Sequence, residues 1–335
     1  MDGRSYRSKK KPWQGHAAVL VFALCFILTA WALPQMEFRP GGFPGKFTIN
    51  NDADPGEDAF FVSRGEHELS HLALYHDIGR SIDHARNADI LIIGNSRAQL
   101  GFSEKVMVGE AEKLGLKIFN LAVGHSDSAR FARDLISRHD LKPLIVIANG
   151  GHFFYGNKYS NWASEVVNMS RWEANKTFFE YSMAWQLETR LHRHLPYLDQ
   201  FERWRYPWTH YRSVQTGWWR NTVVPKARYP VNAGIEADSY KRSLVVAREL
   251  KTELENRGAQ LILSIAPHRK VRSGHLPYLS KELDIPYILV PFDGLETADS
   301  SHLTPASAVT FSVDIWQRFI EIPEVRAKLS LPAGT

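Results

Sequence analysis

The chain has 335 residues, of which 44% are hydrophobic and 23% are charged, so it can build a globular core and is not broadly disordered. Its formal charge of +5 sits mostly at the N-terminus. Residues 1–33 hold five Lys or Arg and one Asp, which leaves 36 basic and 35 acidic residues in the body. A nearly neutral body argues against a nucleic-acid partner. The single cysteine, Cys25, excludes an intrachain disulfide and a cysteine nucleophile in the body.

An uncharged apolar run from Ala17 to Leu33 follows the N-terminal basic residues. As a helix, a run of this length is just able to cross the hydrocarbon core of a bilayer. We therefore expect a basic cytoplasmic tail over 1–14 and a single transmembrane anchor over 15–34. By the positive-inside rule the body then faces the periplasm from a bacterial inner membrane. The alternative is a signal peptide cleaved near Ala32, which also exports the body.

Residues 35–66 are rich in proline and glycine and predict a spacer before an α/β domain over 67–325. Within that domain, short apolar runs bounded by turn residues predict buried parallel strands, with helical patterns between them. The predicted strands are 89–93, 117–121, 144–148, 260–265 and 287–290. The predicted helices are 67–86, 103–114, 127–138, 180–195, 237–257 and 305–320. This alternation predicts one doubly wound α/β domain with a parallel sheet.

An aromatic-rich insertion at about 152–235 interrupts the alternation. It holds seven of the ten tryptophans: Trp162, Trp172, Trp185, Trp204, Trp208, Trp218 and Trp219. Tryptophans at such density predict a cover that shapes a substrate pocket or rests on the membrane. Core packing is the commoner role of this residue, and stacking on a glycan is the alternative.

Polar groups follow the predicted strands at their carboxyl ends, where open α/β sheets bind their ligands. Ser96 follows the first strand, where its hydroxyl and its N–H can both face a ligand. Gly124 and Asn149 follow the second and third strands and offer a backbone N–H and a side-chain amide. Asp299 and His302 follow the last strand. One turn can hold both, so that the carboxylate orients an imidazole that takes the Ser96 proton.

Three segments carry a family resemblance. "LIIGNSRAQLGFS", "NLAVGH" and "DSSHLT" resemble the first, second and last sequence blocks of the SGNH/GDSL hydrolases, and the resemblance covers about 88–151 and 259–320. It implies a flavodoxin-like three-layer α/β/α fold that hydrolyses or transfers acyl groups. It also implies a catalytic triad and an oxyanion hole. The triad has Ser96 as nucleophile, His302 as base and Asp299 as its orienter; the hole is formed by the N–H groups of Ser96 and Gly124 and the side chain of Asn149.

The chain departs from the family pattern at two points. The usual Gly-Asp-Ser of the first block reads Gly94-Asn95-Ser96, which leaves the serine in place. The usual Gly-x-Asn-Asp of the third block reads "IANGGHFF", so Asn149 is placed by its position after a strand rather than by its neighbours.

We therefore expect a serine-dependent ester hydrolase or O-acyltransferase that acts on an acyl ester, expected to be acetyl, of an envelope or extracellular glycan. No cofactor or metal is needed. The expected partners are the glycan substrate, the inner membrane and other envelope polysaccharide-modification proteins. The alternative is a non-enzymatic glycan-binding or assembly subunit with a degenerate triad. His125 and His152 also follow strand ends, but a metal site there lacks a close ligand pair on one helix face.

Overall fold

The computed structural model describes residues 19–25, 27, 59–64, 67–124, 128–194, 211–220, 228–231 and 240–331. Within these ranges, no helix has both the length and the apolar character needed to span a bilayer. Residues 19–25 and 27 are helical. The rest of the anchor predicted over 15–34, and the whole of the tail predicted over 1–14, lie outside the described residues.

The described strands are short, and most of the helices are two to six turns long. The strands are β1 (Ala59–Phe61), β2 (Ser63–Arg64), β3 (His67–Glu68), β4 (Ile90–Ile93), β5 (Ile118–Asn120), β6 (Ile145–Asn149), β7 (Tyr211–Ser213), β8 (Trp219–Arg220), β9 (Tyr229–Pro230), β10 (Gln260–Ser264) and β11 (Glu296–Thr297). The helices are α1 (Leu69–His76), α2 (Asp83–Arg86), α3 (Ser96–Gly101), α4 (Glu104–Lys113), α5 (Ala129–Arg138), α6 (Asn161–Asn168), α7 (Arg171–His194), α8 (Tyr240–Asn256), α9 (His275–Leu283), α10 (Pro305–Glu321) and α11 (Pro323–Lys328). Two 3-10 turns lie at Ile78–Arg80 and Gly151–Phe154.

The central element is a four-stranded parallel sheet with the order β10-β6-β4-β5. Its register places Ile90 of β4 between Ile118 of β5 and Ile145 of β6, and Gln260 of β10 beside Ile145. The strands are buried almost throughout, as apolar runs between helical layers should be. The prediction of an α/β fold with a parallel sheet is confirmed.

The helices around this sheet contact one another in two groups. In the first group α10 packs against α3 and α4, and the rings of Phe102 and Phe311 lie 5.6 Å apart in that contact. In the second group α8 packs against α5 and α9, while α5 also contacts α1. Two helix groups about one sheet are compatible with a three-layer arrangement.

The strand predicted over 287–290 is reduced to a single parallel bridge between Leu263 and Tyr287. The Leu263 N–H donates to Pro286 O at 2.9 Å, and Leu263 O accepts from the Ile288 N–H at 2.7 Å. The preceding rung of a parallel ladder would require an N–H on Pro286. Proline has none, so the pairing cannot extend in that direction.

The single helix predicted over 67–86 is wrong. The segment begins with β3 and then breaks into α1, a 3-10 turn and α2. Three residues between α1 and α2 have left-handed φ values: Asp77 at 52°, Gly79 at 62° and Arg80 at 62°. A left-handed residue ends an α-helix because it turns the chain out of the i to i−4 ladder. The helix predicted over 180–195 is also longer than expected, since α7 begins at Arg171.

Part of the predicted insertion packs directly on the α/β domain. β7 and β8 form a second sheet with β1, which lies at the end of the predicted spacer, and Phe60 of β1 pairs with Arg212 of β7. Trp218 is 1% exposed, and its indole N–H donates to Phe102 O at 2.7 Å. By contrast, Trp172 of α7 is 75% exposed. The tryptophans therefore serve more than one role, and Trp218 belongs to the core.

Candidate active site

Ser96 is the first residue of α3, and two residues separate it from the end of β4. The Asn95 side chain caps this helix by accepting the Arg97 N–H at 3.1 Å. Position 94 requires glycine because neighbouring side chains lie very close to it: a Cβ here would be 2.8 Å from both Ala98 Cβ and Asn149 Cβ. The tight turn therefore puts the start of α3 against the end of β6 and leaves the serine at the carboxyl edge of the sheet.

Asp299 organises the turn that carries His302. Its Oδ1 accepts the N–H of Ser301 at 3.0 Å and that of His302 at 2.7 Å, while its Oδ2 contacts His302 Nδ1 at 2.6 Å. Ser300 takes the left-handed φ of 69° that lets the chain fold back on itself. One carboxylate thus fixes both the backbone of the turn and the orientation of the imidazole.

The other imidazole nitrogen of His302, Nε2, lies 2.9 Å from Ser96 Oγ. The structure therefore brings Ser96, His302 and Asp299 into one hydrogen-bonded series, although Ser96 and His302 are 206 positions apart. Burial would raise the pKa of the Asp299 carboxyl, but the hydrogen bonds and charge of His302, with the Ser301 N–H, outweigh it and hold the pKa at about 2. The carboxylate is therefore ionised at neutral pH and can stabilise an imidazolium.

Two of the three predicted oxyanion donors lie beside this series. The Ser96 N–H, at the first position of α3, has no hydrogen-bond acceptor among the described residues. The Asn149 side chain is buried, and its Oδ1 accepts the Ala266 N–H at 2.7 Å, which turns its NH₂ group toward Asn95 Oδ1 at 3.5 Å. That contact is long, so the amide retains donor capacity next to the serine turn.

The third predicted donor is engaged elsewhere. The Gly124 N–H donates to Glu68 Oε2 at 2.6 Å. Glu68 is 1% exposed, and its second oxygen, Oε1, has no partner among the described residues. In this conformation the Gly124 N–H is engaged by a buried carboxylate, and its role as an oxyanion donor stays a prediction.

Several residues that support the site were not identified from the sequence. Gln99 of α3 donates to Ala122 O at 2.6 Å and accepts the Trp219 N–H at 2.9 Å. Arg212 is fully buried and donates to Ala122 O at 2.9 Å and Asn120 O at 2.5 Å. Burial lowers the pKa of the Arg212 guanidinium to about 9, against the opposing charge of Glu68. These contacts tie the 120–124 segment to α3 and β7.

Two further histidines follow strand ends in the sequence. His125 lies outside the described residues, and the side chain of His152 is not described. No signal in the sequence marks Gln99 or Arg212, because they bind backbone groups on distant segments.

Comparison with known proteins adds no assignment: no protein-family model matches the chain, and no curated protein matches it.

Proposed function

We propose that this protein is a serine-dependent ester hydrolase or O-acyltransferase. The observation that supports the proposal is the 2.9 Å contact between Ser96 Oγ and His302 Nε2, with Asp299 on the other imidazole nitrogen. A Ser–His–Asp series of this kind is what acyl transfer through a serine requires. The resemblance of three sequence segments to SGNH/GDSL hydrolases points to the same chemistry and the same three residues.

In the first half-reaction, Ser96 Oγ attacks the ester carbonyl carbon and gives its proton to His302 Nε2. The carbonyl oxygen becomes an oxyanion, which the Ser96 N–H and the Asn149 amide stabilise by hydrogen bonding. Asp299 stabilises the imidazolium. The tetrahedral intermediate then expels the alcohol, which takes the proton from His302, and an acyl-serine remains.

In the second half-reaction, an incoming O–H group loses its proton to His302 and attacks the acyl carbon. Water gives the free acid, whereas a sugar hydroxyl gives a new ester. In both cases Ser96 recovers its proton. The same residues therefore serve hydrolysis and transfer, and access of water to the acyl-serine decides between them.

The fold proposed for this chemistry is flavodoxin-like, with three α/β/α layers. The sheet has the second, first, third and fourth parallel strands of the chain in that spatial order, and the Tyr287 bridge lies where a fifth would follow. In folds of this kind, ligands bind between the first and third strands, where the order in which the chain adds strands to the sheet reverses direction. Ser96 follows the first strand and Asn149 ends the third.

The proposed substrate is an acyl ester, expected to be acetyl, of an envelope or extracellular glycan. The proposed location is the periplasmic face of a bacterial inner membrane, with other polysaccharide-modification proteins as partners. The support is the basic tail followed by the uncharged run Ala17–Leu33. A signal peptide cleaved near Ala32 would place the site in the same compartment.

One observation favours a second candidate, a non-enzymatic glycan-binding or assembly subunit. The Gly124 N–H is held by Glu68 rather than directed to an oxyanion, as a degenerate site would allow. The two functions differ in whether the protein catalyses cleavage of an ester. A binding subunit retains glycan affinity in Ser96→Ala and cleaves no ester.

The experiment is ester hydrolysis by the purified full-length protein in detergent, with an aryl acetate as substrate. The wild type should release the aryl alcohol, and Ser96→Ala should lose roughly 10³-fold or more of that rate. Ser301→Ala is the matched control, since it removes a neighbouring hydroxyl outside the Ser–His–Asp series. Equal rates in wild type and Ser96→Ala, with the fold intact by circular dichroism, would remove the esterase proposal.

A further inference from the structure

Arg97 directly follows Ser96 and reaches across to the turn that carries His302. Its Nε–H donates to Ser301 Oγ at 3.2 Å, and Ser301 lies between Asp299 and His302 in the chain. The side chain is partly buried. The N–H groups on Nη1 and Nη2 have no acceptor in the described part of the chain. The guanidinium therefore presents unused donors at the edge of the site.

The surroundings of Arg97 leave its positive charge incompletely balanced. Burial lowers the pKa of the guanidinium, and Asp299 and Tyr155 oppose that shift. Asp299, however, directs its oxygens to His302 and to the backbone of the turn. An arginine remains charged at neutral pH, and its planar fork matches a carboxylate better than any other side chain does. A partly desolvated cation with unused donors is suited to an anionic ligand.

The position of Arg97 also indicates which half of an ester it would contact. His302 Nε2 must hand its proton to the departing alcohol, so the alcohol half lies on the His302 side of Ser96. Arg97 is on that side, because it bonds to the residue before His302. The acyl oxygen, by contrast, would face Asn149 and the Ser96 N–H.

We infer that Arg97 binds a carboxylate on the alcohol half of the ester, so that the substrate is an acylated acidic sugar. This inference rests on the proposed function and narrows its substrate class. The competing role for Arg97 is a brace that positions the His302 turn through Ser301. The two roles differ in what they predict for charged and neutral substrates.

The test compares a mono-O-acetylated methyl glucuronoside with the methyl ester of the same compound, using full-length protein. Wild type should prefer the acid in kcat/KM. In Arg97→Gln the ratio of acid to methyl ester should fall about tenfold to a hundredfold, mainly through KM, because one or two charge-assisted hydrogen bonds are lost. Arg97→Lys should recover part of the ratio through its charge. Ser301→Ala removes the brace, keeps the guanidinium and should retain the ratio.

A binding measurement separates this inference from the esterase proposal. Methyl glucuronoside without the acetyl group is titrated into full-length Ser96→Ala, and into Ser96→Ala combined with Arg97→Gln, in a calorimeter. Weaker binding in the double variant supports the inference even if no ester is cleaved, which would remove only the proposed function. An unchanged substrate ratio in Arg97→Gln, or equal binding by the two proteins, would overturn the inference and leave Arg97 as a brace.

Discussion

Glu68 Oε2 accepts the N–H of Gly124 at 2.6 Å, across 56 positions of sequence. The carboxylate is buried, and its charge acts on the buried guanidinium of Arg212. Arg212 in turn binds the carbonyls of Ala122 and Asn120. The loop that follows β5 is therefore held by an anion at Gly124 and by a cation at Asn120 and Ala122, and its Val123 N–H donates to Gly94 O beside the serine turn.

This arrangement predicts that Glu68→Gln destabilises the protein although it conserves size and one oxygen acceptor. The substitution leaves Arg212 as a buried cation without its nearby anion, and we expect the free energy of unfolding to fall by about 2 kcal/mol or more. Denaturant titration measures the change. Glu110→Gln is the control, because its partner Lys113 is exposed on α4, and such pairs contribute less than about 1 kcal/mol. Equal losses in the two variants would contradict the account.

Gly124 should not tolerate a side chain. A Cβ at this position would overlap the Glu68 carboxylate and approach Trp219 Cη2 to 2.9 Å. Glu68 has no room to move because it is buried, so Gly124→Ala should lower the free energy of unfolding by about 1–3 kcal/mol. Gly109→Ala is the matched control: no atom lies within 4 Å of its Cβ, and alanine in the middle of α4 should stabilise the helix by up to about 1 kcal/mol. A neutral or stabilising Gly124→Ala would show that Glu68 does not occupy this place.

Asp299 should stabilise the fold only where it is ionised. Its pKa is lowered from 3.8 to about 2 in the folded protein, so it contributes stability above the unfolded value that is lost as the pH falls toward about 2. The measurement is the free energy of unfolding of wild type minus that of Asp299→Asn, from pH 7 downward. Below about pH 5 this difference should shrink, because the carboxyl is then protonated first in the unfolded chain. A difference that grows as the pH falls below about 5 would mean that the carboxyl is not held ionised by His302.

The orientation of the chain in the membrane can be tested with fusions after Thr335. The basic residues before Ala17 predict that the C-terminus is periplasmic. A fused alkaline phosphatase, which is active only in the periplasm, should be active, and a fused β-galactosidase should not. The reverse pattern would remove both the proposed location and the envelope-glycan substrate.

The sheet and the candidate site residues Ser96, Asp299 and His302 could be predicted because their signals are local. Four apolar runs bounded by turns became the four parallel strands, and a parallel sheet gathers the residues that follow its strands at one edge. That edge holds Ser96 and Asn149, whereas His302 reaches Ser96 from the turn after β11, outside the four-stranded sheet. The strand expected at 287–290 did not form a ladder, because Pro286 has no N–H to donate. The sequence alone does not show which strand Pro286 faces, so this effect could not be predicted.

The parts that sequence did not predict depend on contacts between distant segments. Nothing near Glu68 in the chain indicates that it binds the Gly124 N–H, and a buried arginine such as Arg212 is rare enough that no pattern predicts it. The break of the first helix rests on left-handed conformations at Asp77 and Arg80, which ordinary side chains seldom adopt. Tertiary packing imposes these features against local preference.

Covalent labelling of Ser96 tests the central claim most directly. Full-length protein in detergent is treated with an alkyl fluorophosphonate, and the adduct is located by mass spectrometry of its peptides. We expect one adduct on Ser96, formed far more slowly in His302→Ala because the imidazole no longer takes the proton. No adduct on Ser96 in folded wild-type protein, or the same rate in His302→Ala, would contradict it.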